Sequence, residues 1–185
     1  MSDPARKGGD EQRDTELIAR WKGGDERAAT ELVERHASAL ARFAMSSGER
    51  NDVDELVQDT FVRAFNSLDG FRGDSSFRTW LFTIERRLLL DRRRADKRRR
   101  DKDELQDDDA ATEYDALDSV VADETQRRLK AAVARLSPTQ REVFILRIAE
   151  GLSYKEIAEA VDTTEGAARV HYHNAMRAVK EFLDE

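Results

Sequence analysis

Between Gly70 and Arg100 the chain reads GFRGDSSFRTWLFTIERRLLLDRRRADKRRR, a basic block with Phe71, Phe77, Trp80 and Phe82 interleaved. Arg and Lys neutralise phosphates, and aromatic faces stack on bases that have left a duplex. The pairing points to a single-stranded or opened nucleic acid. The formal net charge of the whole protein is nonetheless -7, so charge must be segregated along the chain. Residues 86–100 carry nine Arg or Lys against Asp91 and Asp96, a local +7, whereas residues 101–124 carry eleven Asp or Glu against Lys102, a local -10. Where the charge sits decides the partner; the total does not.

A second constellation lies near the C-terminus. Ser137-Pro138-Thr139-Gln140 and Ser153-Tyr154-Lys155-Glu156 both read as capping boxes, the first with Pro at the first helical position. The helix opened by Ser153 ends near Val161, Asp162 and Thr163 turn the chain, and a last helix starts near Thr164 with small residues. That is a helix-turn-helix whose final helix would enter a major groove. Its outward face would carry Glu165, Arg169, Val170, His171, His173 and Asn174, with Lys155 and Arg177 within reach of phosphates. Arg and Asn are the side chains that read guanine and adenine edges bidentately.

A third constellation is acidic. Asp52, Asp54, Glu55 and Asp59 crowd the first turns of one helix, where each carboxylate near the N-terminus stabilises by about 0.3–1 kcal/mol. Helix electrostatics accounts for the first three. It does not account for an exposed face that continues through Gln58, Asp59 and Arg63. No catalytic set accompanies these groups: there is no Gly-rich phosphate loop and no nucleophile beside a base, so no enzyme is expected. His171 and His173, two residues apart on a helix, point to different faces, and His36 is far away in the sequence; no metal and no other cofactor is expected.

The elements that must position these groups are helices. Hydrophobic residues make up 39% and charged residues 38%, which suits two modest helical cores better than one large one. Alternating Val/Ile/Thr runs are lacking, so strands are not expected. After a disordered tail over residues 1–13, Asp14 caps a short helix through Leu17, Ile18 and Trp21 that Gly23 and Gly24 end. Asp25 opens a longer helix with Ala29, Leu32, Val33, Leu40, Phe43 and Ala44 inward. A third starts near Asp52 with the stripe Val53, Leu56, Val57, Thr60, Ala64, Phe65 and Leu68. Gly70 and Gly73 bracket a loop, and Ser75 or Ser76 starts a fourth with Phe77, Trp80, Leu81, Ile84 and Leu88 inward. Residues 101–124, with like charges crowded together, are expected to be a flexible linker. Beyond it, Leu129, Ala132, Val133 and Leu136 form one helical stripe, Val143, Phe144, Leu146 and Ile148 another, and Ala168, Tyr172, Ala175, Val179 and Phe182 a third. Cysteine is absent and no stretch of eighteen apolar residues occurs, from which a soluble cytoplasmic protein without membrane insertion is expected.

From the acidic helix to the arginine run, DVDELVQDTFVRAFNSLDGF followed by FRGDSSFRTWLFTIERRLLLDRRR resembles region 2 of the bacterial sigma factors of the extracytoplasmic-function group, in the sigma-70 family. The segment LSPTQREVFILRIAEGLSYKEIAEAVDTTEGAARVHYHNAMRAVKEFL resembles region 4 of the same family. Order and spacing match from about residue 14 to residue 183. The resemblance implies an all-α protein of two small helical domains, a region 2 bundle over residues 14–100 and a region 4 helix-turn-helix over residues 125–185, joined by the acidic linker 101–124. It implies docking on the beta-prime clamp of core RNA polymerase through Asp54, Glu55, Leu56, Gln58 and Asp59, contact with the beta flap, and an anti-sigma partner. It implies minus-10 DNA recognition by a flipped base at Phe71, Arg72, Asp74, Ser75 and Ser76, with Arg86, Arg87, Arg92, Arg93 and Arg94 tracking the opened strand, while Phe77 and Trp80 belong to the core. Duplex minus-35 recognition falls to the final helix.

Two departures from the family pattern bear on specificity. The family often has Asn where Arg87 stands and a small residue where Glu85 stands, and Arg or Lys where His171 and Asn174 stand. Arg98, Arg99 and Arg100 fit a solvated tail and a DNA contact equally well. Two other functions compete with the sigma reading: a dimeric repressor or activator that uses the C-terminal module alone, and an interaction protein that mimics a sigma factor.

Overall fold

In the computed structural model, residues 4–49, 52–102 and 124–184 are described, and all their regular elements are helical. The order is α1 (Pro4–Lys22), α2 (Glu26–Ser46), α3 (Val53–Asn66), a single 3-10 turn (Leu68–Gly70), α4 (Phe77–Lys102), α5 (Glu124–Ala134), α6 (Pro138–Ile148), α7 (Tyr154–Ala160) and α8 (Glu165–Asp184). None of the helices among the described residues is long and apolar enough to cross a membrane.

Caps carry much of the local order. Asp25 accepts from the Arg27 N–H and opens α2, Ser76 accepts from the Thr79 N–H at the head of α4, and Ser137 and Ser153 each close a complete capping box with Gln140 and Glu156. Asp52 precedes α3 without a side-chain cap bond. Asp162 takes a φ of 54° in the turn between α7 and α8, a left-handed conformation that short polar side chains tolerate.

The first helix departs from expectation. It starts at Pro4, so residues 4–13 are helical where a disordered tail is expected, and Asp14 is interior to it. The reason is tertiary. Asp14 is buried and its carboxylate receives Arg35 Nε at 2.9 Å and meets His36 Nε2 at 2.9 Å, both from α2. Its charge joins α1 to α2, and the pairing matters because a buried charge left without its partners is strongly destabilising.

Residues 103–123 lie outside the described residues, and with them almost all of the expected linker; Asp101 and Lys102 extend α4, and Glu124 opens α5. The expected core stripes need small corrections. Leu129 is exposed, Ile148 is more than half exposed, and in α4 Leu89 is buried while Leu88 is only partly covered.

The two helical units hold two apolar clusters, and the larger one crosses between them. One apolar cluster runs from Leu17, Leu32, Phe43, Leu56 and Phe82 of the N-terminal helices directly into Val143, Leu146, Leu152, Ile157 and Val161 of the C-terminal ones. A second, smaller cluster of Ala132, Leu136, Phe144, Ala175 and Val179 stays within the C-terminal unit. Helix α7 lies on α4, and α6 lies on α2.

Candidate nucleic-acid interface

The helix-turn-helix is formed by α7 and α8. Ala168, Ala175 and Val179 turn inward, and Tyr172 packs between Phe144 and Tyr154 at centroid distances of 6.4 and 5.8 Å. That burial fixes the rotation of α8. Glu165, Arg169, Val170, His173 and Arg177 then face solvent, with Lys155 exposed on α7, while His171 and Asn174 are half-buried at the edge of the face. Arg169 is held in reserve. Its guanidinium meets Glu165 at 2.6 Å and lies 4.7 Å from the Tyr154 ring centroid, a preformed cation–π contact that leaves its outer edge free to bond.

On α3 the acidic face is present, with one correction. Asp54, Glu55, Gln58 and Asp59 are exposed, but Leu56 is fully buried in the core and belongs to the opposite side of the helix. The four-residue spacing explains it, since Leu56 shares the inward stripe with Thr60 and Ala64. Arg92 of α4 brackets this face, at 3.0 Å from Asp59 and 3.4 Å from Glu55.

The loop ahead of α4 is built on stacked rings. Phe71 lies 4.9 Å from Trp80 and 5.8 Å from Phe77, so Phe71 shares a partly covered aromatic cluster and is not a free stacking platform. Arg72 and Asp74 are exposed, and Ser75 and Ser76 half-buried. A cleft of about 310 Å³ opens between this loop and α7, lined by Asp74, Ser75 and Ser76 on one side and by Lys155, Glu156 and Glu159 on the other.

The expected strand-tracking arginines do not share one open face. Arg87 and Arg94 are exposed, but Arg86 donates to Glu142 at 2.8 Å, Arg93 lies 3.7 Å from the same carboxylate and donates to the Ser47 carbonyl, and Arg92 is turned to α3. A seven-residue helical spacing sets Arg86 and Arg93 on one stripe, and Arg92 falls to its side. Sequence reasoning missed the partners: Glu142 and Glu150, both buried acids of the C-terminal unit, and Arg42 and Arg78, which bind Glu150. Glu142, beside the apolar run Val143 to Leu146 of α6, offered a signal for one of them; Glu150 lies beyond the end of that helix and offered none.

Glu85 was also missed as a structural feature. It is fully buried on α4, with neither carboxyl oxygen hydrogen-bonded among the described residues. Burial first, and the nearby Glu150 charge second, push its pKa from the usual 4.5 up to about 9, so it is neutral near pH 7. A small residue at this position would avoid that cost.

Comparison with known proteins accords with this geometry. The family model "Sigma-70 region 2" matches residues 32–99 and "Sigma-70, region 4" matches residues 126–179. The chain is 29% identical over 140 residues to the ECF RNA polymerase sigma-E factor of Haemophilus influenzae, covering 71% of this chain and 74% of that one. It is 30% identical over 152 residues to the sigma-E factor of Salmonella typhimurium, covering 77% and 78%. Among solved structures it is similar to the sigma factor RpoE bound to the anti-sigma factor NepR from Bartonella quintana, with a TM-score of 0.68, 29% identity and coverage of 84% and 96%. A TM-score of 0.68 with 31% identity relates it to CnrH in complex with the cytosolic domain of CnrY, over 93% and 97% of the two chains.

Proposed function

The chain belongs to the extracytoplasmic-function sigma factors of the sigma-70 family, and from that premise we propose how its surfaces divide the work of an alternative sigma factor. It binds core RNA polymerase, recognises the minus-35 and minus-10 promoter elements and promotes DNA opening for transcription initiation. The exposed face Asp54, Glu55, Gln58 and Asp59 docks on the polymerase clamp, and the C-terminal unit meets the flap. Arg169 and Asn174 read base edges of the minus-35 duplex, while Lys155 and Arg177 hold its phosphates. The loop from Phe71 to Ser76 takes the extruded minus-10 base, and the arginines of α4 follow the displaced strand. Extrusion costs a few kcal/mol, which stacking and edge hydrogen bonds return.

The observation that carries this reading is the joint presence, in order, of both family regions with an acidic helix face and a solvent-facing recognition helix on one chain. A dimeric repressor would use only the second. Work of this kind needs no catalytic residues, and the protein acts in the cytoplasm where polymerase and promoter are. The solved relatives in complex with anti-sigma factors support an anti-sigma partner here as well. Run-off transcription with purified core enzyme tests the proposal: promoter-dependent transcripts are expected only when the protein is added, and their absence with core enzyme of proven activity would overturn it.

A further inference from the structure

Two buried carboxylates of the C-terminal unit hold four arginines of the N-terminal unit. Glu150, its side chain entirely covered, receives Arg42 Nε at 3.0 Å and Nη2 at 3.2 Å and also binds Arg78, whose Nη1 donates to the Glu150 carbonyl at 3.0 Å. Glu142, with a side chain 3% exposed, receives Arg86 at 2.8 Å with Arg93 at 3.7 Å. Each carboxylate gathers two guanidiniums, as a bridging phosphate would. Arg78, Arg86 and Arg93 lie along the helix expected to follow an opened strand.

The same contact sets the C-terminal unit beside the base-reading loop. Helix α7 forms the other wall of the cleft beside Asp74, Ser75 and Ser76 and carries Lys155, Glu156 and Glu159 to it. The seam also contains Glu85, two turns along α4 from Arg78, buried without a hydrogen-bond partner among the described residues. An unsatisfied carboxyl weakens whatever buries it.

We propose that the free protein is closed by its own C-terminal unit, with Glu142 and Glu150 standing in for DNA phosphates on Arg42, Arg78, Arg86 and Arg93, and that the opened strand displaces them. The inference rests on the assignment of α4 to the opened strand. Exposure supports a displacement route: the carboxylates are shut in, but the Arg42, Arg78 and Arg93 side chains are 50%, 36% and 38% exposed. A phosphate can therefore engage a guanidinium before the carboxylate releases it.

The chain has no cysteine, so Asp69→Cys and Lys180→Cys, both at exposed positions, can carry a donor and an acceptor dye, one on each unit. In the full chain without polymerase, Glu142→Gln with Glu150→Gln is expected to lengthen the dye separation. The same pair is expected to tighten binding of a fluorescein-labelled oligo-dT by at least about fivefold, the scale of an ordinary coupling between two sites. Unchanged separation and affinity in a variant of native helicity would overturn the proposal. If that variant does not fold, the labelled protein with Glu142 and Glu150 intact decides: saturating oligo-dT must lengthen the separation, and bound oligo-dT at constant separation overturns the lock. Run-off transcription keeps the two ideas apart. Promoter-dependent transcripts with no change in separation on binding would overturn the lock alone, whereas absent transcripts would overturn the sigma assignment.

Discussion

Glu85 makes the most direct statement at the scale of single residues. Its carboxyl stays neutral in the fold up to about pH 9 but ionises near 4.5 in the unfolded chain. Its contribution is thus fully present below pH 4.5 and is lost as pH rises through the window up to about 9, because there the unfolded chain sheds a proton that the fold retains. Glu85→Gln keeps the shape and removes the titration, so it is expected to raise stability at pH 8 relative to pH 5, because the amide stays neutral in both the folded and the unfolded chain. Urea denaturation at pH 5 and pH 8 checks it, and the gain must be larger at pH 8. On the recognition helix, Arg169→Ala and Asn174→Ala are each expected to lose ~1–3 kcal/mol on the matched minus-35 duplex and little on a scrambled one. Lys155→Ala and Arg177→Ala are expected to weaken both duplexes alike and to flatten the salt dependence. Anisotropy titrations of core-bound protein at several salt concentrations separate the two classes.

Helix α3 is the element whose two faces do different work. Leu56, Val57, Thr60 and Ala64 fill the core, and Asp54, Glu55, Gln58 and Asp59 look outward. Charge reversal at Asp54 and Glu55 to Lys alters only the outer face, so it is expected to abolish co-elution with core polymerase on gel filtration while circular dichroism stays native. Co-elution as in the parent protein would remove this face from the polymerase contact. Arg92 adds a secondary effect: with Glu55 reversed it retains Asp59 at 3.0 Å, so α3 and α4 remain joined. Caps matter at the same scale. Ser153 and Glu156 bond reciprocally, and Ser153→Ala should cost about 1 kcal/mol and loosen α7 against α8.

Across the whole molecule, the shared core predicts that the two units unfold together. Both tryptophans, Trp21 and Trp80, belong to the N-terminal unit, so intrinsic fluorescence reports that unit. Leu146 is fully buried in α6 and belongs to the cluster that crosses between units. Leu146→Ala should cost ~2–5 kcal/mol, and the tryptophan transition in urea should shift with it. A fluorescence midpoint that does not move, while helicity is lost earlier, would mean that the units unfold independently.

The sequence alone determined most of the helices, the caps of α2, α6 and α7 and most of the outward faces of α3 and α8, because those depend on three-, four- and seven-residue spacings within one element. Asp25, Ser137 and Ser153 cap what their local motifs say they cap, and a recognisable family pattern supplied the function. Tertiary structure decided what depends on groups distant in the chain. Asp14 looks like a cap and is a buried partner of Arg35 and His36; Arg86 and Arg93 look like free phosphate contacts and are held by Glu142. A charged side chain advertises its charge in the sequence but not its partner, and the partner is chosen only when desolvation on packing makes an unpaired charge too costly to leave.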